Sequence, residues 1–294
     1  MTAPATTTFE FRKQRDLEVL AWPLFDGLDA EIMVTTRHGG VSSGPYGTLN
    51  LGLHVGDSAA DVLENRRRVA NALGASPADF VFCNQSHGRE ARIVSAADRG
   101  KGTLSQDDAI RQTDALVTQD PGTVLAVMVA DCVPIVLYDP AAHVLACVHA
   151  GWRGTVARVA EATLDAMASL GARPANVLAG VGPAIAPDHY QVGKEVADAA
   201  DRCFRGDTNG IIRPDGFGRW LFDLWAANRR ILRDAGVPDR QVQVAALPTG
   251  PDQGPFFSDR AARPCGRFAA IARLRRPVGD HFIPDSYAPQ DLLV

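Results

Sequence analysis

The feature that most constrains the fold is a pair of apolar runs near the middle of the chain. Val124–Val129 and residues 144–148 are short and rich in β-branched side chains, and each predicts a buried strand. The second run is preceded by another strand-like run and by Asp139-Pro-Ala-Ala142, a favourable turn sequence. Two strand-like runs on either side of a tight turn predict a β-hairpin.

The predicted hairpin brings two metal-binding residue types together. If its turn is centred between Pro140 and Ala141, Cys132 and His149 face one another at its open end. His87, which lies in a polar turn beside a glycine, is a third candidate because glycine allows a close backbone approach. One cysteine and two histidines suit zinc, and three protein ligands leave a coordination position open, as in catalytic zinc sites. A zinc-bound water would supply hydroxide near neutral pH.

The same spacing has two other interpretations. A buried cysteine in a strand is most often a packing residue, and a histidine at a strand end is most often only hydrogen-bonded. Alternatively, Cys132 is a thiolate nucleophile and His149 is its general base. The metal hypothesis and the nucleophile hypothesis both predict that the two side chains are close, so spacing does not separate them.

Two arginines are candidates for binding an anion. Arg153 lies at the start of a predicted helix, where free backbone N–H groups favour negative charge. Arg37 lies beside a Gly-Gly turn. A structural salt bridge is the alternative for each. Asp131, directly before Cys132, is a candidate to orient that ligand or else a structural residue.

Helical periodicity predicts four helices. They cover residues 58–73, 156–170, 192–203 and 221–235, and the first has Ser58 at its start and Gly74 as its stop. Strands and helices do not alternate strictly, which favours an α+β fold over a doubly wound sheet. No repeat or linker divides the chain, so we expect one compact catalytic domain over residues 21–294 after an N-terminal tail of residues 1–20.

Composition excludes several functional classes. The chain has 294 residues, of which 46% are apolar and 22% charged, which is enough for a sizeable core. Its net charge of −4 argues against nucleic acid or an anionic membrane as partner. No stretch approaches the roughly 20 apolar residues of a membrane span, and a secretion-signal layout is absent. Five irregularly spaced cysteines argue against a disulfide framework, so we expect a cytoplasmic protein with reduced thiols.

Several motifs together resemble those of the YfiH family. They are Thr36-Arg-His-Gly-Gly-Val-Ser-Ser-Gly-Pro-Tyr46, Leu49-Asn-Leu-Gly-Leu-His-Val-Gly-Asp57, Asn84-Gln-Ser-His-Gly88, Thr113-Asp-Ala-Leu-Val-Thr118, Ala130-Asp-Cys132 and Val148-His-Ala-Gly-Trp-Arg-Gly154. The resemblance runs from about residue 35 to residue 274. That family was earlier described as polyphenol oxidase or laccase and is now described as purine nucleoside phosphorylase, and one branch is called peptidoglycan editing factor.

The resemblance implies a compact α+β domain with β-sheets sandwiched between helices. It implies a zinc site formed by His87, Cys132 and His149. It also implies phosphorolysis of adenosine, inosine and methylthioadenosine, with purine nucleosides and phosphate as partners, and deamination of adenosine to inosine. Copper, the metal of the older laccase description, is not expected, because multicopper chemistry needs many paired histidines and this chain has seven histidines without a His-x-His pair.

The sequence departs from the family pattern in two segments. Ala184 and Asp188 occupy positions where the family often has cysteines, and the C-terminal pattern is only partly kept between Leu247 and Ser258. The preferred nucleoside therefore stays open, as does the oligomeric state. Two other functions also stay open: a thiol-dependent hydrolase or editing factor that acts on peptidoglycan precursors, and a non-catalytic zinc protein.

Overall fold

The computed structural model describes residues 9–250 and 254–275, which form five α-helices and seventeen strands. The helices are α1 (Ala59–Leu73), α2 (Trp152–Val156), α3 (Val159–Ser169), α4 (Lys194–Phe204) and α5 (Leu224–Asp234). The strands are β1 (Glu10–Gln14), β2 (Leu17–Ala21), β3 (Ala30–Thr35), β4 (Phe80–Phe82), β5 (Ala91–Ile93), β6 (Ala115–Thr118), β7 (Val124–Val129), β8 (Val133–Asp139), β9 (Val144–Ala150), β10 (Leu178–Val181), β11 (Ala184–Ile185), β12 (Gln191–Val192), β13 (Ile212–Pro214), β14 (Trp220–Phe222), β15 (Val242–Val244), β16 (Pro248–Thr249) and β17 (Phe268–Leu274).

Twelve of these strands form two six-stranded sheets that pack face to face. The first sheet has the order β1-β2-β3-β17-β7-β4, and the second has the order β15-β10-β8-β9-β6-β5. Alternate side chains of a strand point to opposite faces. Val127 and Phe268 of the first sheet therefore share one buried cluster with Val136 and Cys147 of the second. This cluster is the core between the sheets.

Helices cover the outer faces of both sheets. Val69 of α1 packs with Ile271 on the first sheet, whereas Leu164 of α3 and Ile231 of α5 pack with Val148 on the second. The order of layers is helix, sheet, sheet, helices, which confirms the predicted α+β fold with sheets sandwiched between helices. Across the described residues, no helix combines the length and apolarity that crossing a bilayer requires.

The β8–β9 hairpin forms as predicted, but the predicted centre of its turn is wrong by one residue. Asp139 pairs with Val144, so the centre lies between Ala141 and Ala142. The carboxylate of Asp139 accepts hydrogen bonds from the N–H groups of Ala141 at 2.8 Å and Ala142 at 3.1 Å, as in an Asx turn. His143 then takes a φ of 52°, which draws it into the turn.

This correction shifts the register by two residues and leaves the faces unchanged. His149 pairs with Pro134 rather than with Cys132, and β8 begins just after Cys132. Because side chains alternate with a period of two, an even shift keeps Cys132 and His149 on the same side of the sheet. That side faces the first sheet.

The first predicted helix is confirmed as α1, and both of its predicted end residues are correct. Ser58 accepts a hydrogen bond from the N–H of Asp61 at 3.4 Å, and Gly74 ends α1 with a left-handed φ of 64°. The predicted helix over residues 156–170 is confirmed as α3, but its start is predicted three residues too early. Arg158 has a φ of 62° and separates α3 from the short helix α2, which ends at Val156. The predictions for α4 and α5 begin too early, because Val192 and Leu221 belong to paired strands.

The predicted tail over residues 1–20 is wrong for its second half. Strands β1 and β2 form a hairpin that continues the first sheet through β3. Leu20 of β2 is buried in the core between the sheets, whereas Leu17 and Val19 are buried on the opposite face of the first sheet, in the cluster that includes α1. Residues 1–8 lie outside the described part of the chain.

Candidate active site

The side chains of His87, Cys132 and His149 converge. Their potential ligand atoms all lie within 4.8 Å of one another. His87 comes from the loop after β4 of the first sheet, whereas Cys132 and His149 come from the hairpin of the second. The cluster therefore lies where the two sheets meet, and both sheets must be in place to form it.

Two local backbone features allow this close approach. His87 has a left-handed φ of 60°, which turns the loop back toward the second sheet. A Cβ atom on Gly151 would lie 2.8 Å from Cys132 Sγ and 3.1 Å from His87 Cδ2, so a side chain there would displace two members of the cluster. The rings of His87 and His149 meet edge to face with centroids 4.8 Å apart.

Asp114 holds two of the three residues in position. Its carboxylate oxygen lies 2.8 Å from His149 Nδ1 and also accepts the backbone N–H of His87 at 2.9 Å. The other oxygen accepts the N–H of Gly88 at 2.7 Å and the hydroxyl of Ser86 at 2.9 Å. Because an ionised carboxylate only accepts hydrogen bonds, Nδ1 of His149 carries a proton, and Nε2 is the nitrogen that can bind a metal once it has lost its own proton.

Sequence reasoning missed Asp114. It lies within one of the family motifs, directly before β6, but no pattern of spacing connects it to His149. Its side chain is completely buried. A buried carboxylate is expected to be paired or hydrogen-bonded, and an acidic residue directly before a buried strand was the available signal.

The cluster is electrostatically coupled. Burial alone would raise the pKa of the Cys132 thiol, but the charge of His149 and hydrogen bonds from His149 and His87 lower that pKa to about 6. Burial alone would lower the pKa of His149, but the charge of Cys132 and the hydrogen bond to Asp114 raise it to about 9. Burial would also raise the pKa of Asp114, whereas its bond to His149 and its other donors lower it to about 2.

The donor set fits a zinc ion. One sulfur and two imidazole nitrogens form a borderline-soft set, and three protein ligands are typical of a catalytic zinc site. The missing side chain at Gly151 leaves room for Cys132 Sγ and the His87 ring to lie side by side. The Asp114–His149 hydrogen bond is the outer partner that metal-bound histidines usually have.

A cavity of 440 Å³ opens beside the cluster. His87, Cys132 and His149 form part of its wall. Further polar or flexible side chains on its wall are His54, Gln85, Gln106, Met128, Arg263 and Arg267. The volume lies within the range of small-ligand pockets. A small molecule in this cavity can therefore contact the cluster and the two arginines.

Neither predicted anion-binding arginine lines this cavity. Arg37 lies over the ring of Phe257 at 4.7 Å, donates to the carbonyl of Gly47 at 2.9 Å, and lines a separate pocket. Arg153 is exposed and stacks on Trp152 at 4.3 Å. The structure thus brings together the three predicted metal ligands and leaves both predicted arginines outside. Arg263 and Arg267 come from the loop before β17, far from the ligands in sequence.

Asp131 is a structural residue and does not orient the side chain of Cys132. It has a φ of 88°, and one carboxylate oxygen accepts hydrogen bonds from the hydroxyls of Thr249 at 2.6 Å and Ser258 at 2.7 Å. The other oxygen accepts the N–H of Arg260 at 2.6 Å. It therefore ties the C-terminal segment to the backbone that leads into Cys132.

Among the described residues of the two departures from the family pattern, none lines the cavity. Ala184 is buried in β11, and Asp188 is an exposed partner of Arg213. Within the segment from Leu247 to Ser258, Thr249 and Ser258 bind Asp131. Residues 251–253 lie outside the described part of the chain.

The fold and the cluster define a class of protein: α+β chains with two stacked sheets and a His/Cys/His group where the sheets meet. The family model described as multi-copper polyphenol oxidoreductase laccase matches residues 31–275. The chain therefore belongs to this family, the YfiH family. It is 37% identical over 247 residues to "Purine nucleoside phosphorylase YlmD" of Geobacillus stearothermophilus, which covers 82% of this chain and 88% of that protein.

The chain is also similar to a relative with a different name and to a solved structure. The chain is 36% identical over 230 residues to "Adenosine deaminase RL5" of an unknown prokaryotic organism, which covers 78% of this chain and 88% of that protein. The crystal structure of the Bacillus licheniformis hypothetical protein YfiH superposes with a TM-score of 0.86 at 33% identity, covering 90% of this chain and 99% of that one.

Proposed function

We propose that this protein is a zinc-dependent purine nucleoside phosphorylase that also deaminates adenosine to inosine. The observation that carries the proposal is the convergence of His87, Cys132 and His149, with ligand atoms within 4.8 Å, on the wall of a cavity that fits a small ligand. The names of the relatives, a purine nucleoside phosphorylase and an adenosine deaminase, supply the substrate class.

The three cluster residues would hold the metal, and Asp114 would hold the cluster. A bound zinc ion supplies Lewis acidity and activates water near neutral pH. Asp114 fixes the ring of His149 and the loop of His87 through hydrogen bonds of 2.8 and 2.9 Å. These hydrogen bonds position the cluster in the absence of a substrate, which lowers the cost of organising the transition state.

Phosphate would bind to Arg263 and Arg267 rather than to Arg37 and Arg153. The two cavity arginines share a single carboxylate, Asp259, at 2.5 Å from Arg263 and 3.2 Å from Arg267. Two guanidinium groups against one carboxylate leave a net positive charge on that wall. Guanidinium groups match the geometry of phosphate oxygens.

Two reactions follow from this arrangement. In phosphorolysis, a phosphate oxygen bonds to C1′ of the ribose, the bond from C1′ to N9 breaks, and the purine leaves with the electron pair and takes up a proton. In deamination, water adds to C6 of adenine and ammonia leaves. The arginines bind phosphate and stabilise its charge in the first reaction, and the second reaction does not require phosphate.

The test is turnover of adenosine by zinc-loaded protein with and without phosphate. We expect adenine and ribose 1-phosphate only when phosphate is present, and inosine in both conditions. Cys132→Ala is expected to lose both zinc and turnover, because it removes the thiolate ligand. Cys203→Ala, a change to a cysteine outside the cavity, is the matched control and should retain both. Full turnover by the Cys132 variant would overturn the proposal.

A metal-free thiol hydrolase is the second candidate. The low pKa of Cys132, about 6, and its contact with His149 favour it, since a thiolate beside an imidazole is an activated nucleophile. Elemental analysis separates the two candidates. Protein purified without metal, with Cys132 rapidly alkylated and with hydrolase activity intact, would support the thiol enzyme; stoichiometric zinc that protects Cys132 from alkylation would support the phosphorylase.

A further inference from the structure

Two glutamines line the cavity, and they differ in how their amides are satisfied. The side chain of Gln85 donates to the carbonyl of Met128 at 2.7 Å and accepts the N–H of Met128 at 2.8 Å, so both ends of its amide are used by the first sheet. The carbonyl oxygen Oε1 of Gln106 is buried, and it has no hydrogen-bond partner among the described residues. The amide of Gln85 is thus fully used in binding the backbone of the first sheet, whereas the amide of Gln106 has an acceptor without a partner among the described residues.

The loop that carries Gln106 is fixed at both ends. The buried guanidinium of Arg66 donates to the carbonyl of Thr103 at 2.7 Å, and the N–H of Ile110 donates to the carbonyl of Phe82 at 3.1 Å. Within the loop, the N–H of Ala109 donates to the backbone carbonyl of Gln106 at 3.3 Å. A buried acceptor without a partner is costly to a folded protein. A fixed loop that keeps one on a cavity wall indicates that a ligand donor satisfies it.

Because Gln106 lines the same cavity as the cluster and has an unpartnered acceptor, we infer that it recognises the 6-position of the purine ring. The inference rests on the proposed function and deepens it. Arg263 and Arg267 only donate hydrogen bonds, so they suit phosphate, whereas the unpartnered oxygen of Gln106 needs a hydrogen-bond donor, which the edge of a purine ring offers. The arginines therefore suit the phosphate, and the amide suits the purine base.

A side-chain amide also accounts for the acceptance of both a 6-amino and a 6-oxo purine. Adenine presents an N6–H donor beside the N1 acceptor, and the amide matches this pair with its oxygen and its nitrogen. Hypoxanthine presents an N1–H donor beside the O6 acceptor, and the same amide matches this pair after a half-turn about its last torsion. Gln106 is thus a specificity-determining residue that admits adenosine and inosine alike.

The experiment compares phosphorolysis of adenosine, inosine and purine riboside, which lacks a 6-substituent, by wild type and Gln106→Leu. We expect Gln106→Leu to reduce kcat/KM for adenosine and for inosine about tenfold, and for purine riboside less than about threefold, because that substrate offers no donor to Oε1. Leu104→Ala, a change to an exposed side chain of the same loop, is the control and should behave like wild type.

Equal losses on all three nucleosides, or no loss on any, would overturn the inference while leaving the proposed function in place. The same is true if the penalty disappears on 2′- or 3′-deoxyadenosine, since Gln106 would then contact the ribose. If wild type turns over none of the nucleosides, the proposed function and the inference fail together. The melting temperature of Gln106→Leu should equal or exceed that of wild type, which excludes misfolding as the cause of lost turnover.

Discussion

Two aspartates lie near the His87–Cys132–His149 cluster. The one that is closer to the cluster in the sequence does not contact it, and the one that is farther away does. Asp131 is the neighbour of Cys132 along the chain, yet its carboxylate binds Thr249, Ser258 and the backbone of Arg260. Asp114 is distant from every member of the cluster along the chain, yet it binds His149 and the His87 loop directly. Proximity in sequence therefore does not identify the residue that supports the ligands.

The largest effect should come from Asp114→Ala. The substitution leaves the N–H groups of the His87 loop without their acceptor and releases the ring of His149. We expect zinc affinity to fall about 10–100-fold and the free energy of unfolding to fall by about 3 kcal/mol. Zinc titration against a competing chelator and denaturant unfolding would measure the two effects. Unchanged zinc affinity would remove Asp114 from its supporting role.

Asp131→Ala should affect stability and spare the metal. The substitution leaves three donors from the C-terminal segment unsatisfied and places alanine at a positive φ, so we expect a loss of about 2 kcal/mol in the free energy of unfolding. Zinc affinity measured in the same chelator assay should stay within about threefold of wild type. If it falls as far as in Asp114→Ala, the contrast between the two aspartates is wrong.

The same contrast applies to the arginines. Arg153 is close to His149 in sequence but lies outside the cavity, whereas Arg263 is distant in sequence and lines it. We expect Arg263→Ala to raise KM for phosphate about tenfold, because a charge-assisted hydrogen bond is lost. Arg153→Ala, the matched control, should leave KM for phosphate unchanged. Initial rates at varied phosphate measure both values. If Arg153 binds phosphate, as the sequence suggested, KM would instead rise in Arg153→Ala and stay unchanged in Arg263→Ala.

The smallest effect is a change in proton release when zinc binds. With a thiol pKa of about 6 and a His149 pKa of about 9, metal-free protein at about pH 8 holds a thiolate and an imidazolium. Zinc needs both groups deprotonated, so binding should release about one proton. Release should decline above pH 9, where His149 is already neutral, and increase below pH 6, where the thiol also loses its proton.

Calorimetry in buffers of different ionisation enthalpy measures how many protons are released when zinc binds. The same measurement on variants of Asp114 and Asp131 tests whether the two aspartates differ. Asp114→Ala removes a hydrogen bond that raises the pKa of His149, so less proton should be released at about pH 8. Asp131→Ala should release as much as wild type. A fall in both variants would show that His149 does not depend on Asp114 specifically.

Local sequence patterns predicted the central hairpin and therefore two members of the cluster. The period of two in a strand places Cys132 and His149 on one face even with the register wrong by two residues. The centre of the turn was predicted incorrectly because His143 takes a left-handed conformation, which is uncommon for a residue other than glycine. The break at Arg158 between α2 and α3 has the same cause.

The rest of the site depends on contacts between distant segments. Arg263 and Arg267 reach the cavity because β17 lies in the middle of the first sheet, between β3 and β7, and carries the preceding loop with it. The role proposed for Gln106 rests on one buried atom that has no hydrogen-bond partner in the described part of the chain, and no sequence pattern encodes this. Pairing of strands far apart in sequence therefore determines which polar groups surround the cluster.

X-ray absorption at the zinc edge tests the central claim most directly. The account predicts one zinc per chain, bound by one sulfur at about 2.3 Å and two imidazole nitrogens at about 2.0–2.1 Å, with the sulfur lost in Cys132→Ala. A zinc content well below one per chain, or a coordination shell without sulfur in the wild-type protein, would contradict it.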